Sequence, residues 1–279
     1  MDHKQITMSN KIWLLALSIP LLLSGCLEGN KTTEELCQSQ PGLRCEKLNM
    51  DDGQCRVART DLIWHRFEVL KNPSDSNKIK EYTLTAEYRK CLELASQITP
   101  IDQSALKQKR FNALMHSISE LERIVQELSA SSEPESLYFL WSQTGSTNAR
   151  RQFLQMEGTP ALETAEMQYA LATFYTTRDQ TKTIQLLNHS LELTKDGKIN
   201  KDALKSLAST YQGLGQMKHA YLWAMIAKEF DVPLASEKEM QLMFGFTAEE
   251  YKRIDSIAEQ AASALKKGQY RSMMIPNDL

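Results

Sequence analysis

Apolar residues recur every three or four positions along most of this chain and almost nowhere alternate, which is the signature of amphipathic helices. Thr32-Thr33-Glu34-Glu35 reads as a Thr-capped helix start with acid in the first turn, and Pro41-Gly42 stops it. A loop around Asp51-Asp52-Gly53 follows. Residues 56–72 carry Leu62, Ile63, Phe67 and Leu70 on one face and end before Pro73. Residues 78–98 continue with Leu84, Tyr88, Cys91, Leu92 and Ala95. The longest candidate, 102–128, presents Leu106, Phe111, Leu114, Ile118, Leu121, Val125 and Leu128 in turn. Shorter helices at 135–143 and 147–156 flank Thr144-Gly145. β-branched residues are scattered and form no alternating run, so the predicted fold is all-α.

One stretch breaks this pattern. Residues 12–23 are apolar apart from Ser18 and Pro20, follow Lys4 and Lys11, and close on Leu23-Ser24-Gly25-Cys26. The run is too short and too quickly polar to span a bilayer as a helix. It resembles the lipobox of bacterial lipoproteins. That resemblance implies a diacylglycerol thioether on Cys26, cleavage before it and acylation of the new amino end, and two or three acyl chains anchor stably where one binds marginally. Leu27 stands where Asp usually marks inner-membrane retention, so the same resemblance implies an outer-membrane anchor facing the periplasm. Residues 1–25 are then a signal peptide and 26–32 a tether.

Composition narrows the class. The chain has 279 residues and a net charge of −2, and loss of Lys4, Lys11 and Asp2 with the signal would make it −3. A surface this near neutral exerts no general pull on nucleic acid. Besides Cys26, the cysteines are Cys37, Cys45, Cys55 and Cys91, an even number in an exported chain, which predicts two disulfides. Three connectivities are open. Metal binding is the alternative, but the spacing lacks the close C-x-x-C pairing of zinc sites.

Residues 157–233 are self-similar. Leu171-Ala172 and Tyr175 recur 36 residues later as Leu207-Ala208 and Tyr211. The second unit, with Leu204, Leu207, Ala208, Tyr211, Gly215, Ala220, Ala224 and Ala227 before Pro233, resembles tetratricopeptide and Sel1-like repeats. The first unit departs from that pattern at Asp179, Ile184 and Asn188. The resemblance implies paired helices stacked as a solenoid, with the N-terminal helical region (33–156) on one side and capping helices and tail (234–279) on the other. The cysteine-rich head, Asp52-Gly53-Gln54-Cys55-Arg56, the segment Thr60-Asp61-Leu62-Ile63-Trp64-His65-Arg66 and Tyr169-Ala170-Leu171-Ala172 further resemble a family of gamma-proteobacterial lipoproteins built on a domain of unknown function. That likeness implies no activity.

Candidate chemistry is sparse. Asn49-Met50-Asp51-Asp52-Gly53 fails as a calcium loop, because Leu48, Met50 and Arg59 fall where ligands are needed. Asp61 and His65 lie one helical turn apart and could form half of a general base, though no nucleophile motif accompanies them. His116, His189 and His219 are isolated and form no metal-binding motif. Gly213-Leu214-Gly215 lies between helices and is not a phosphate loop. The methionines Met240, Met243, Met273 and Met274 read as core filling plus a frayed end. No metal or cofactor is expected.

What remains is surface. In repeats of this kind the first helix of each pair lines a groove, and the matching positions are Glu166, Tyr169, Thr173 and Thr176, then Asp202, Lys205, Ser209 and Gln212. Such a set could hydrogen-bond an extended peptide or a neighbouring helix. The expected protein is therefore a lipid-anchored, non-catalytic adaptor for a periplasmic or outer-membrane protein. The alternative is an enzyme or enzyme activator acting on the cell wall. The lipobox reading makes a direct prediction: Cys26→Ala yields an uncleaved precursor on immunoblots, and a cleaved, acylated product from that variant would contradict it.

Overall fold

The computed structural model describes residues 31–98, 104–195 and 197–279, so the apolar run expected to be a signal peptide and Cys26 lie outside the described residues. Among the described residues there are α-helices and short 3-10 turns and no strand. The chain divides into two compact units, Met1–Leu121 and Glu122–Leu279.

In the first unit, α1 (Thr33–Ser39) begins at a capping box: the Thr32 hydroxyl accepts from Glu35 N, and the Glu35 carboxylate accepts from Thr32 N. Two 3-10 turns, Pro41–Leu43 and Cys45–Lys47, lead into the loop before α2 (Arg56–Lys71). α2 packs on α3 (Asp75–Ala95), which opens at a Ser74 cap. The long α4 (Ser104–Leu128) follows and runs past the boundary of the unit. The disulfides are Cys37–Cys45, which closes the head on itself, and Cys55–Cys91, which ties the start of α2 to α3. The second closes 36 residues of chain, a constraint on the unfolded state worth about 3–4 kcal/mol.

The buried faces of these helices are not the purely apolar stripes expected. α2 buries Arg59 and Arg66 beside Leu62 and Ile63, while Leu70 is 51% exposed. α4 buries Arg110, Ala113, Ser117 and Glu120, leaving Phe111 50% exposed. The reason is electrostatic. Asp52, in the head loop, accepts from Arg110 Nε and from Arg110 Nη2 at 3.1 Å, and from Gln54 N at 3.0 Å. Arg59 Nη1 donates to the carbonyls of Asn49 (2.6 Å) and Asp52 (2.9 Å), and the Tyr88 hydroxyl donates to Asn49 Oδ1. Arg110 Nη1 also reaches the Ala95 carbonyl at the end of α3 (3.2 Å). Beside this hub, Arg66 lies between Glu81 (3.1 Å) and Glu120 (3.4 Å), and Arg44 joins Glu120 at 3.0 Å.

The second unit is a succession of helix pairs. α5 (Pro134–Thr144) packs on α6 (Thr147–Gln155), α7 (Ala165–Tyr175) on α8 (Gln180–Leu193), and α9 (Lys201–Gly213) on α10 (Met217–Lys228). Contacts of α5 with α7, α8 with α9, and α10 with α12 (Ala248–Lys266) make the stack continuous, with the short α11 (Glu237–Phe244) beside α10. Leu187, Leu191, Leu204, Leu207, Trp223, Ile226, Ile254, Ala258 and Leu265 share one core. Ala220 and Ala227 are each 2% exposed, small residues where paired helices approach.

The C-terminal end is docked, not frayed as expected. Tyr270 is 1% exposed and its hydroxyl donates to Asn188 Oδ1 at 2.6 Å, Ser272 N donates to Glu192, and His219 Nε2 lies 2.9 Å from the Pro276 carbonyl oxygen. Two glycines permit this closure. A Cβ at Gly268 (φ 63°) would lie 2.3 Å from the Lys195 carbonyl oxygen, and one at Gly197 (φ 70°) 2.8 Å from that of Lys266.

Two predictions follow from this packing. The Arg110 guanidinium, through its hydrogen bonds, holds the Asp52 carboxyl down at about 2 against the opposing effect of burial. A depressed carboxylate stabilises fully above its unfolded value near 4 and loses that contribution as pH falls through about 2. Asp52→Asn is expected to cost about 3–5 kcal/mol at pH 7, because it strands a buried guanidinium. In urea denaturation, its deficit against wild type should shrink from pH 4 to pH 2; a pH-independent deficit would contradict the ion pair. Ala220→Leu overpacks α9 against α10 and should lower stability by about 1–3 kcal/mol in the same assay.

Candidate functional site

On α7 the positions 166, 169, 173 and 176 repeat with helical spacing, and on α9 so do 202, 205, 209 and 212. The opposite faces are apolar: Met167, Ala170 and Leu171 are buried on α7, and Ala203, Leu204 and Leu207 on α9. The polar set is therefore turned outward. Glu166, Thr173, Thr176, Asp202, Lys205, Ser209 and Gln212 are exposed, and Tyr169 is half-buried.

Much of this face is satisfied within its own helices. Thr173 Oγ1 donates to the Ala170 carbonyl at 2.7 Å, Thr176 Oγ1 to Ala172 at 3.0 Å and Ser209 Oγ to Ser206 at 3.1 Å, while Lys205 pairs with Asp202. The contacts that cross between hairpins involve tyrosines. Tyr138, on α5, hydrogen-bonds the Thr173 side chain, and its phenol pKa is raised by burial and by the negative charge of Asp202. Tyr169 is raised by burial and then by Asp202 as well. Tyr138, Tyr169, Thr173 and Asp202, on the first helices of three consecutive hairpins, thus lie within electrostatic reach of one another. Tyr138 was not among the expected residues. Its signal lay in reading 134–155 as a further helix pair, with Tyr138 on the first helix as Tyr169 is on the next.

Other sequence candidates take quieter places. Asp61 is exposed, whereas His65 is 8% exposed and its Nε2 lies 2.8 Å from the Asn77 carbonyl oxygen; no hydrogen bond joins the two among the described residues. That contact ties α2 to α3. His189 meets Glu163 at 2.8 Å and His219 stacks on Tyr211 with ring centroids 4.9 Å apart. His116 differs: its Nε2 is buried without a hydrogen-bond partner, and burial lowers its pKa. It borders a depression of about 570 Å³ with Glu46, Lys47, Asp51 and Lys109, in which Asp51 is already paired with Lys109. Among the described residues no three His, Cys, Asp or Glu side chains cluster as metal ligands, and no helix is long and apolar enough to cross a membrane. The four cysteines of the head and α3 are all in disulfides.

No curated protein and no solved structure matches the chain. A family model described as Protein of unknown function (DUF2989) matches residues 23–225, a span that takes in the head, both disulfides and the hairpins through most of α10. The chain belongs to this DUF2989 family.

Proposed function

We propose that the protein is a lipid-anchored adaptor of the outer membrane, facing the periplasm, that holds a protein partner on the face formed by α5, α7 and α9. The observation that carries this reading is that half-buried Tyr138 and Tyr169 and exposed Asp202, on the first helices of three successive hairpins, lie within electrostatic reach of one another beside the outward polar positions of α7 and α9. Tyrosines at half-buried positions are effective anchors, since they offer large contact area and a hydroxyl at low cost in conformational freedom. The stacked pairs with alanines at Ala220 and Ala227 support the tetratricopeptide-like reading, in which the first helices present the binding surface. The apolar run ending at Cys26 supports the anchor. The enzymatic alternative rested on Asp61 and His65, and His65 is instead engaged with Asn77.

In-cell photocrosslinking tests this reading. A photoreactive residue is placed at Glu166 or Ser209, both exposed on the face, and at Glu259 on α12 as a control. The expected result is one discrete adduct shared by the two face positions and absent from the control. Adducts from no face position, or the same adduct from Glu259, would overturn it.

A further inference from the structure

A second surface of the same unit has the opposite character. Between α6 and the end of α7 lies an open cleft of about 700 Å³, within the range of small-molecule sites, bordered by Asn148, Arg150, Arg151, Leu154, Phe174 and Arg178. It shares no residue with the α5–α7–α9 face. Three guanidiniums border it, and among the described residues none has a carboxylate partner. The nearest carboxylate in sequence beyond α6, Glu157, is committed elsewhere: it accepts from the Tyr175 hydroxyl at 2.7 Å and pairs with Lys182.

Two of the arginines are held in place by neutral groups. Arg151 Nη2 donates to Asn148 Oδ1 at 2.8 Å. Arg178 Nη1 donates to the Phe174 carbonyl at 2.6 Å, and its guanidinium lies over the Phe174 ring, 4.2 Å from the centroid. Each keeps further N–H donors unused, because a guanidinium carries five. In a chain whose net charge is only −2, three uncompensated cations around one cleft are a local arrangement and not a consequence of composition. A single carboxylate is saturated by one guanidinium fork, whereas a phosphate monoester brings nearly two charges and three acceptor oxygens. Leu154 and Phe174 add apolar surface for the body of such a ligand.

We infer that this cleft is a binding site for a phosphate monoester carried on an apolar or cyclic body. The phosphate could come from a soluble ester or from a lipid headgroup, and the two share the chemistry that the arginines recognise.

Calorimetry on the purified full chain in non-ionic detergent tests the inference, with phenyl phosphate as the probe and phenylacetate as its carboxylate counterpart. Phenyl phosphate is expected to bind at least tenfold more tightly than phenylacetate. The triple variant Arg150→Gln, Arg151→Gln, Arg178→Gln should lose at least tenfold in affinity. A charge-matched control at the exposed Lys195, Lys228 and Lys267, each to Gln, should retain it. Arg178→Lys keeps the charge but not the planar fork stacked on Phe174, and a severalfold loss is expected from it even if the triple variant folds poorly. No binding of phenyl phosphate, equal affinity for phenylacetate, or affinity unchanged in both arginine variants would overturn the site. Competition with dihexanoyl phosphatidic acid then separates the sources. Tighter binding of this short-chain lipid supports a headgroup ligand, and tighter binding of phenyl phosphate supports a soluble ester.

Discussion

Most of the stability of a helix in a protein comes from packing rather than from its own propensity, so each helix of this chain depends on what it packs against. The two units meet that constraint with different chemistry. In the first, the packing surfaces of α2 and α4 contain Arg59, Arg66, Arg110 and Glu120, and these helices can be buried only if the charges find opposite charges or, as Arg59 does, carbonyl acceptors. Asp52 and Arg110 are the centre of that solution. Breaking the pair would leave a charge in a low-dielectric interior, at a cost larger than the pair's own net contribution. The head loop, the end of α3 and the start of α4 are therefore set in register together. The Cys55–Cys91 disulfide holds the same neighbourhood covalently.

The second unit uses apolar complementarity. Ala220 and Ala227 let α9 and α10 approach, and each pair then presents Leu and Ile side chains to the next. Such a stack has an exposed end wherever it stops. Here α12 and the docked segment around Tyr270 cover part of that end, with Gly197 and Gly268 allowing two backbones to meet where any side chain would collide.

Much of this was legible in the residues. Helix starts at Thr32 and Thr247 carry their capping boxes in plain sequence, and the even cysteine count anticipated the disulfides. The polar hub was not legible, because Asp52 and Arg110 are 58 positions apart and a buried charge looks like a solvated one until its partner is known. For the same reason the apolar stripe of α4 holds at Leu114, Leu121 and Leu128 but misses the buried Arg110, Ser117 and Glu120, and includes Phe111, which is exposed. Asp61 and His65 failed differently. Helical spacing puts two residues side by side, but Asp61 faces solvent, whereas the His65 ring is buried and meets the Asn77 carbonyl. Tyr138 escaped notice because α5 and α6 lack the alanine pattern that marks the later pairs.

The two polar surfaces of the second unit differ in what they leave unsatisfied, and this separates the ligands each can take. On the α7 and α9 face, hydroxyls are bonded to their own backbone and Lys205 is paired with Asp202. Hydrogen-bonding a ligand there would mean exchanging one partner for another, which yields little net free energy. On the proposal that this face holds a protein partner, selectivity would come from shape and from tyrosine contacts. In the α6–α7 cleft the guanidiniums have no carboxylate partner among the described residues. An incoming phosphate displaces only water and relieves repulsion among like charges, so a small ligand can bind without a large interface.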